Sequence, residues 1–303
     1  MGFGVILEQV LLLFIFVVAG YILGKTGLCK PEHCKTLSGV LIYVFLPCLY
    51  FNNFAENLTV AYLKTKYPLI LVSVGLMLVY VVLAKLIGNK MTKHPYERVV
   101  LRYSLTVPNY GYMGCALCLS LYGSKALLDM MIFGLPLSVY ISTSGYNMLT
   151  RNEGRISLKR VMTPPMYGIL LGCIVGLTGL KLPSVLTQVS QKSAACMSPV
   201  AMLLSGIAVS EFKVKELLLN KKAYLVVALR LVVLPVLAFL LVKGIRMEMA
   251  LMSAVVIYCM PCGMNTIIYP KMVGEDCRMG ASLVLISSVA CVLTIPLCLY
   301  FLL

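Results

Sequence analysis

Apolar residues in this chain come in long unbroken runs, not in the alternation of strands or the stripes of a surface helix. Ten runs follow one another at roughly 3–24, 34–54, 67–89, 97–121, 127–149, 162–180, 192–210, 222–242, 248–270 and 279–302. A helix rises 1.5 Å per residue, so about 20 residues cross a hydrocarbon core of about 30 Å. Short turns separate the runs, with no stretch long enough for a soluble domain. The pattern predicts an all-α membrane protein of ten transmembrane helices whose core is the bundle itself. The first run opens at Phe3 with no Lys or Arg before it. It therefore reads as a mature span, because a signal peptide needs a basic start and a shorter apolar stretch.

Composition agrees. The 303 residues are 60% hydrophobic and 12% charged, against about 25% charged in soluble domains. The net charge of +15 raises nucleic acid as a partner, but the basic residues lie in loops between spans, where topology and anionic lipid headgroups account for them. Of 26 Lys and Arg, 18 fall in odd-numbered loops and seven in even-numbered ones, while Arg230 alone lies within a span. By the positive-inside rule the odd loops are cytoplasmic and both termini extracytoplasmic. The expected location is the cell membrane, with lipids as partners and no nucleic acid.

The chain repeats itself. GYILGKTGLCKP at 20–31 and GCIVGLTGLKLP at 172–183 share seven of twelve residues at an offset of 152. The same offset pairs Pro47 with Pro199 and Gly111 with Gly263. Five helices separate the paired features, and an odd number inverts the second copy. Inverted repeats are the plan of many secondary transporters, in which two similar halves exchange conformations. The expected units are 1–149, a short cytoplasmic linker at 150–161, and 162–303.

Two spans are broken at corresponding places. The fourth contains Pro108, Asn109, Tyr110 and Gly111, and the ninth contains Pro261, Cys262, Gly263 and Asn265. Proline removes a backbone donor and clashes with the preceding turn. In hydrocarbon each freed group costs several kcal/mol unless protein or water satisfies it. Paired broken helices therefore mark a buried or water-lined site, the best sequence pointer to a transporter's substrate. A half-helix starting near mid-membrane offers free N–H groups and a partial positive charge, which suits an anion. Asn109 and Asn265 add amide groups without a buried charge. These eight residues are the candidate substrate contacts. Pro47, Pro199 and Met113 are weaker candidates to line the cavity.

Several motifs resemble the auxin efflux carrier family, which includes plant auxin carriers and bacterial malate- and malonate-type permeases. PNYGYMG at 108–114 resembles that family's crossover segment, and TPPMYGILLGCIVGLTGLKLP at 163–183 its sixth helix. SPVAMLLSGIAV at 198–209 resembles the seventh, while MPCGMNTIIYPKMVG at 260–274 and ASLVLISSVACVLTIP at 281–296 resemble the last two. The resemblance implies a sodium/proton-antiporter-like fold in the bile, arsenite and riboflavin transporter superfamily. It implies ten helices with helices four and nine crossing, and carriage of an organic anion, often a carboxylate. It carries Asn109 over as a substrate contact, and Pro108 and Pro261 as the crossover prolines. The long hydrophilic central loop of many plant members is absent, which points to a short, microbial-type carrier.

The expected function is secondary transport of a small organic anion by alternating access, with no catalysis, cofactor or metal. Coupling to protons or sodium stays open. Glu8 and Asp129 sit near the outer ends of their spans, and His33 and His94 lie in loops. Ser142, Thr143 and Ser144 could offer oxygens to sodium. Arg230 is expected to snorkel to the cytoplasmic interface. Two rivals remain. Cys115/Cys118 and Cys259/Cys262 form a C-x-x-C in each broken span, the raw material of a thiol relay or a soft-metal carrier. A non-transporting membrane receptor is the other. Substrate identity, direction and homodimerisation are left open.

Overall fold

A computed structural model describes residues 2–30, 33–152 and 160–303. Among these, seven helices are long and apolar enough to cross a membrane. They are α1 (Phe3–Lys25), α2 (His33–Asn57), α3 (Val60–Met91), α5 (Tyr110–Leu149), α7 (Ser184–Ser210), α8 (Lys221–Lys243) and α11 (Arg278–Leu302). The shorter helices include α4 (Pro95–Thr106), α6 (Pro164–Thr178), α9 (Glu248–Tyr258) and α10 (Asn265–Met272), besides a single turn at Val214–Leu218. Ile15, Leu71, Leu240 and Phe301 are each more than 60% exposed. Apolar surface on that scale, carried on membrane-length helices, belongs in lipid. The chain is a multi-pass membrane protein.

Helix α5, at 40 residues, is too long for one crossing. It is interrupted at Gly123, whose φ of 82° and ψ of 179° are open only to glycine. The two segments, 110–122 and 124–149, meet at this corner. The sequence reading placed a loop here, and a single residue makes the turn.

The helices pack in two groups. In the first, α1 lies along α7 and α2 along α6, with α2 also touching α7. In the second, α3 packs on α4 and α5, α9 on α5 and α8, and α11 on α8. The first group is held by backbone-to-backbone approach at glycines, as is usual where no hydrophobic drive separates helix from lipid. A Cβ on Gly20 would lie 2.0 Å from the Leu203 carbonyl oxygen, and one on Gly172 would lie 2.7 Å from that of Phe51. Gly24 meets Ile207 and Ser210, and Gly176 meets Ala55 and Leu58. Each contact in α1–α7 thus has a counterpart in α6–α2 at the offset of 152. Pro31, in the repeated motif, and Arg155 and Lys159 of the linker lie outside the described residues.

A Cβ on Gly206 would lie 2.0 Å from the Val17 carbonyl oxygen. Gly206→Leu should therefore force α1 and α7 apart and destabilise the protein by roughly 1–3 kcal/mol or more. The buried thiols would then react with a thiol-reactive dye at lower temperature on heating in detergent. Gly75→Leu adds the same bulk where nothing lies within 4 Å and should leave the melting curve unchanged. Equal melting of the two variants would overturn the close-approach assignment.

Candidate substrate site at the paired helix breaks

Pro108 has no N–H for the Ser104 carbonyl, so α4 stops at Thr106. Asn109 then donates its backbone N–H not to its own helix but to the Pro261 carbonyl, at 2.9 Å. Pro108 and Cys262 form an isolated antiparallel β-bridge. The two breaks thereby satisfy each other at residues 109 and 261, themselves related by the offset of 152.

Two partners from outside complete the pairing. Ser287 of α11 accepts the Cys262 N–H at 3.0 Å. Arg230 of α8 reaches the carbonyls left free at the ends of both incoming helices. Its Nη1 donates to Leu105 at 3.1 Å and its Nε to Met260 at 3.3 Å. Leu105 lost its helical donor when Asn109 N turned to Pro261. The expectation that Arg230 snorkels is wrong. It is fully buried, nine residues after Lys221, too deep for its side chain to reach the interface. The orphaned carbonyls hold it instead, and its guanidinium stands 5.7 Å from the Tyr258 ring centroid. Tyr258 stacks on Tyr80 at 4.0 Å, and the Tyr80 hydroxyl donates to the Leu234 carbonyl. A π-turn at Leu229–Val233 carries Arg230.

Asn109 precedes the first turn of α5, and its carbonyl accepts from Met113 and Gly114. It is only 8% exposed, yet its carboxamide has no hydrogen-bond partner among the described residues. Gly111, two residues on, borders open space. Asn265 opens α10 and is half-buried. Its Nδ2 donates to the Tyr103 hydroxyl of α4 at 2.7 Å. Pro261 and Gly263 are buried in the crossing itself. Tyr110, Met113 and Cys262 are buried in protein. The Tyr110 hydroxyl bonds the Gly134 carbonyl at 3.2 Å and Ser138, so it braces the second segment of α5.

A cavity of about 240 Å³ lies between α1, α2, α7 and the first segment of α5. Phe16, Cys115, Leu119, Ser120, Ser198 and Pro199 are among its lining residues. The Ser198 hydroxyl is buried without a partner among the described residues. Pro199 therefore lines this cavity, while Pro47 lines a separate pocket between α2 and α6, beside Gly168, where a Cβ would lie 2.4 Å from the Pro47 carbonyl oxygen.

Other candidate groups lie elsewhere. Asp129 pairs with Lys66 at 3.3 Å and accepts from the Tyr62 hydroxyl at 2.6 Å. Glu8 is exposed. Ser142 and Thr143 donate to carbonyls of their own helix. His33 and His94 are exposed, each accepting a nearby backbone N–H. In the loop before α11, hydrogen bonds from Arg278 hold the Asp276 carboxyl below its usual range. All twelve cysteines are free thiols, and Cys115, Cys118, Cys259 and Cys262 are fully packed. Thiol exchange needs access to a partner, and packing is the role this burial favours. Among the described residues, no three Cys, His, Asp or Glu side chains are grouped as a metal ion needs.

Sequence reasoning found both breaks and missed Arg230, Ser287 and Tyr103. Arg230 carried the one available signal, as the basic residue set deepest within an apolar run.

Comparison with known proteins agrees. An uncharacterized transporter of Methanocaldococcus jannaschii is 24% identical over 306 residues, covering 96% of this chain and 97% of its own. An uncharacterized transporter of Methanothermobacter thermautotrophicus is 25% identical over 301 residues, covering 96% of each. The profile of a family described as membrane transport protein matches residues 5–158 and 154–299, nearly the whole length. The chain belongs to that membrane transport protein family, the auxin efflux carrier family its motifs resemble.

Proposed function

We propose that this protein is a secondary transporter of a small organic anion, a carboxylate, working by alternating access at the paired breaks. The observation that carries the reading is the crossing itself. Two helices break at equivalent residues, pair through Asn109 and Pro261, and send two new helix N-termini away from one point. Beside that point the Asn109 carboxamide is unengaged. A carboxylate fits this chemistry, because free N–H groups and amide donors bind it without a buried countercharge from an acid or base. The chain is read as a carrier with no catalytic step.

On this reading the chain crosses the membrane ten times. Helix α4 with segment 110–122 makes the fourth crossing, segment 124–149 the fifth, and α9 with α10 the ninth. Residues 1–149 and 162–303 form inverted repeats joined by 150–161. The matched glycine contacts of α1–α7 and α6–α2 support this. The charge distribution supports extracytoplasmic termini.

The halves differ at one place along the seam: Leu119 lines the cavity, while its counterpart Lys271 is tied to Glu211 at 2.6 Å, just beyond the far end of α7.

The test is uptake into proteoliposomes of a panel of mono- and dicarboxylates, with and without sodium and proton gradients. Saturable uptake of at least one acid is expected, and no uptake of any would reject the reading. Asn109→Ala should lower the rate at least tenfold while leaving expression and melting unchanged, since its carboxamide makes no bond to lose. Near-normal uptake by that variant would falsify its role. Tyr103→Phe removes the acceptor that orients Asn265. A lost hydrogen bond is worth about 1 kcal/mol, so KM should rise roughly fivefold with kcat little changed. An unaltered KM would take Asn265 out of the site.

A further inference from the structure

We propose that Arg230 is the fixed countercharge of the crossing, a positioning residue that leaves the site about one unit positive and matched to a singly charged anion. The inference rests on the reading of the crossing as the substrate site.

Four half-helices meet at the breaks. Helices α4 and α9 arrive with their carbonyl ends, each about half a negative charge, while α5 and α10 leave with their N–H ends, each about half a positive one. Left alone, these four ends sum to zero and favour neither sign of ligand. Arg230 changes the balance, because it binds one carbonyl from each arriving end, Leu105 and Met260. An arginine stays protonated in proteins, and one full charge offsets two half charges. The two departing N-termini then remain uncompensated.

Among the described residues no other ionised group supplies a counter-ion. Among the described residues no carboxylate forms an ion pair with Arg230. Its surroundings are two carbonyls, the Tyr258 ring, the stacked Tyr80 and the buried thiols of Cys259 and Cys262, none of them a carboxylate. Its Nη2 is buried with no partner among the described residues. A buried cation without an acid is costly in a membrane, and such residues pair or serve a site. Here the missing half of the pair is the ligand. A bound monoanion makes the crossing neutral, a dianion leaves it negative, and a cation makes it doubly positive. Monovalent carboxylates are thus the matched class.

The potential can be read without knowing the substrate. Gly111 borders open space at the start of α5, so Gly111→Cys places a thiol there. Its reaction rates with a sulfonatoethyl and a trimethylammonioethyl methanethiosulfonate are measured in proteoliposomes and resolved by mass spectrometry of the peptides. Exposed Cys196 is the internal reference, and Lys192 one turn away biases that reference toward the anionic reagent. A unit charge roughly 10 Å away, at an effective dielectric of about 20, changes each rate by roughly tenfold. The anionic-to-cationic ratio at position 111 should therefore exceed that at Cys196 by at least tenfold. Arg230→Gln should lower it at least tenfold, and Arg230→Lys should preserve it. A purely structural role would speed both reagents alike and leave the ratio unmoved. A ratio at 111 no higher than at Cys196, or one unchanged by Arg230→Gln, overturns the proposal. If Arg230→Gln fails to reach the membrane, the comparison with Cys196 decides alone. The ratio is independent of uptake, so a carrier that moves no acid yet shows it would sink the transport reading and leave this one standing.

Discussion

A helix can be interrupted at little cost in water, because solvent takes up the freed backbone groups. Inside a membrane each such group costs several kcal/mol when left alone. This chain interrupts two helices, and everything around the breaks serves to keep their backbone satisfied. The first break donates from Asn109 to Pro261 of the second. Ser287 takes the Cys262 N–H, and Arg230 takes one carbonyl from each arriving helix. Support then extends outward. Tyr258 and Tyr80 brace Arg230. Gly134 leaves room for the Tyr110 ring, which a Cβ there would meet at 2.7 Å. The crossing is one hydrogen-bonded unit, and neither break is viable without the other.

Such a unit constrains how the molecule moves. The breaks do not separate without exposing unsatisfied groups, so on the proposed transport cycle the crossing moves as one piece against the first helix group, along a contact that includes the cavity and the Lys271–Glu211 pair. The first group resists change for a different reason, since α1 and α7 approach closely enough to leave no space for a side chain at Gly20 or Gly206. Two packed bodies with a cavity between them are what the proposed transport cycle requires.

Much of this was legible in the chain. Run length and hydropathy identified the membrane class, and Pro108 and Pro261 marked both breaks. The offset of 152 later proved to relate contacts as well as letters, as Gly20 on Leu203 and Gly172 on Phe51 show. What stayed hidden depended on which groups the fold orphans. Arg230 looked like an interfacial residue because its depth and the free carbonyls of Leu105 and Met260 appear only when α8 is placed behind the crossing. Ser287 is one hydroxyl among several in α11, and nothing local marks it as the acceptor for Cys262. Pro47 and Pro199 are equivalent in sequence, and each borders a pocket of its own, a correspondence that the letters alone do not display.

That correspondence carries an argument of its own. Equivalent residues stand in equivalent surroundings both at the glycine contacts of the first group and at the pockets bordered by Pro199 and by Pro47. Across the seam one pair differs, since Leu119 lines the cavity while Lys271 is paired with Glu211. On the proposed transport cycle, exchanging those two arrangements would leave the Asn109–Pro261 bond intact. The two ends of that bond are themselves related by the offset of 152, so the bond that makes the breaks tolerable is also the fixed point of the proposed exchange.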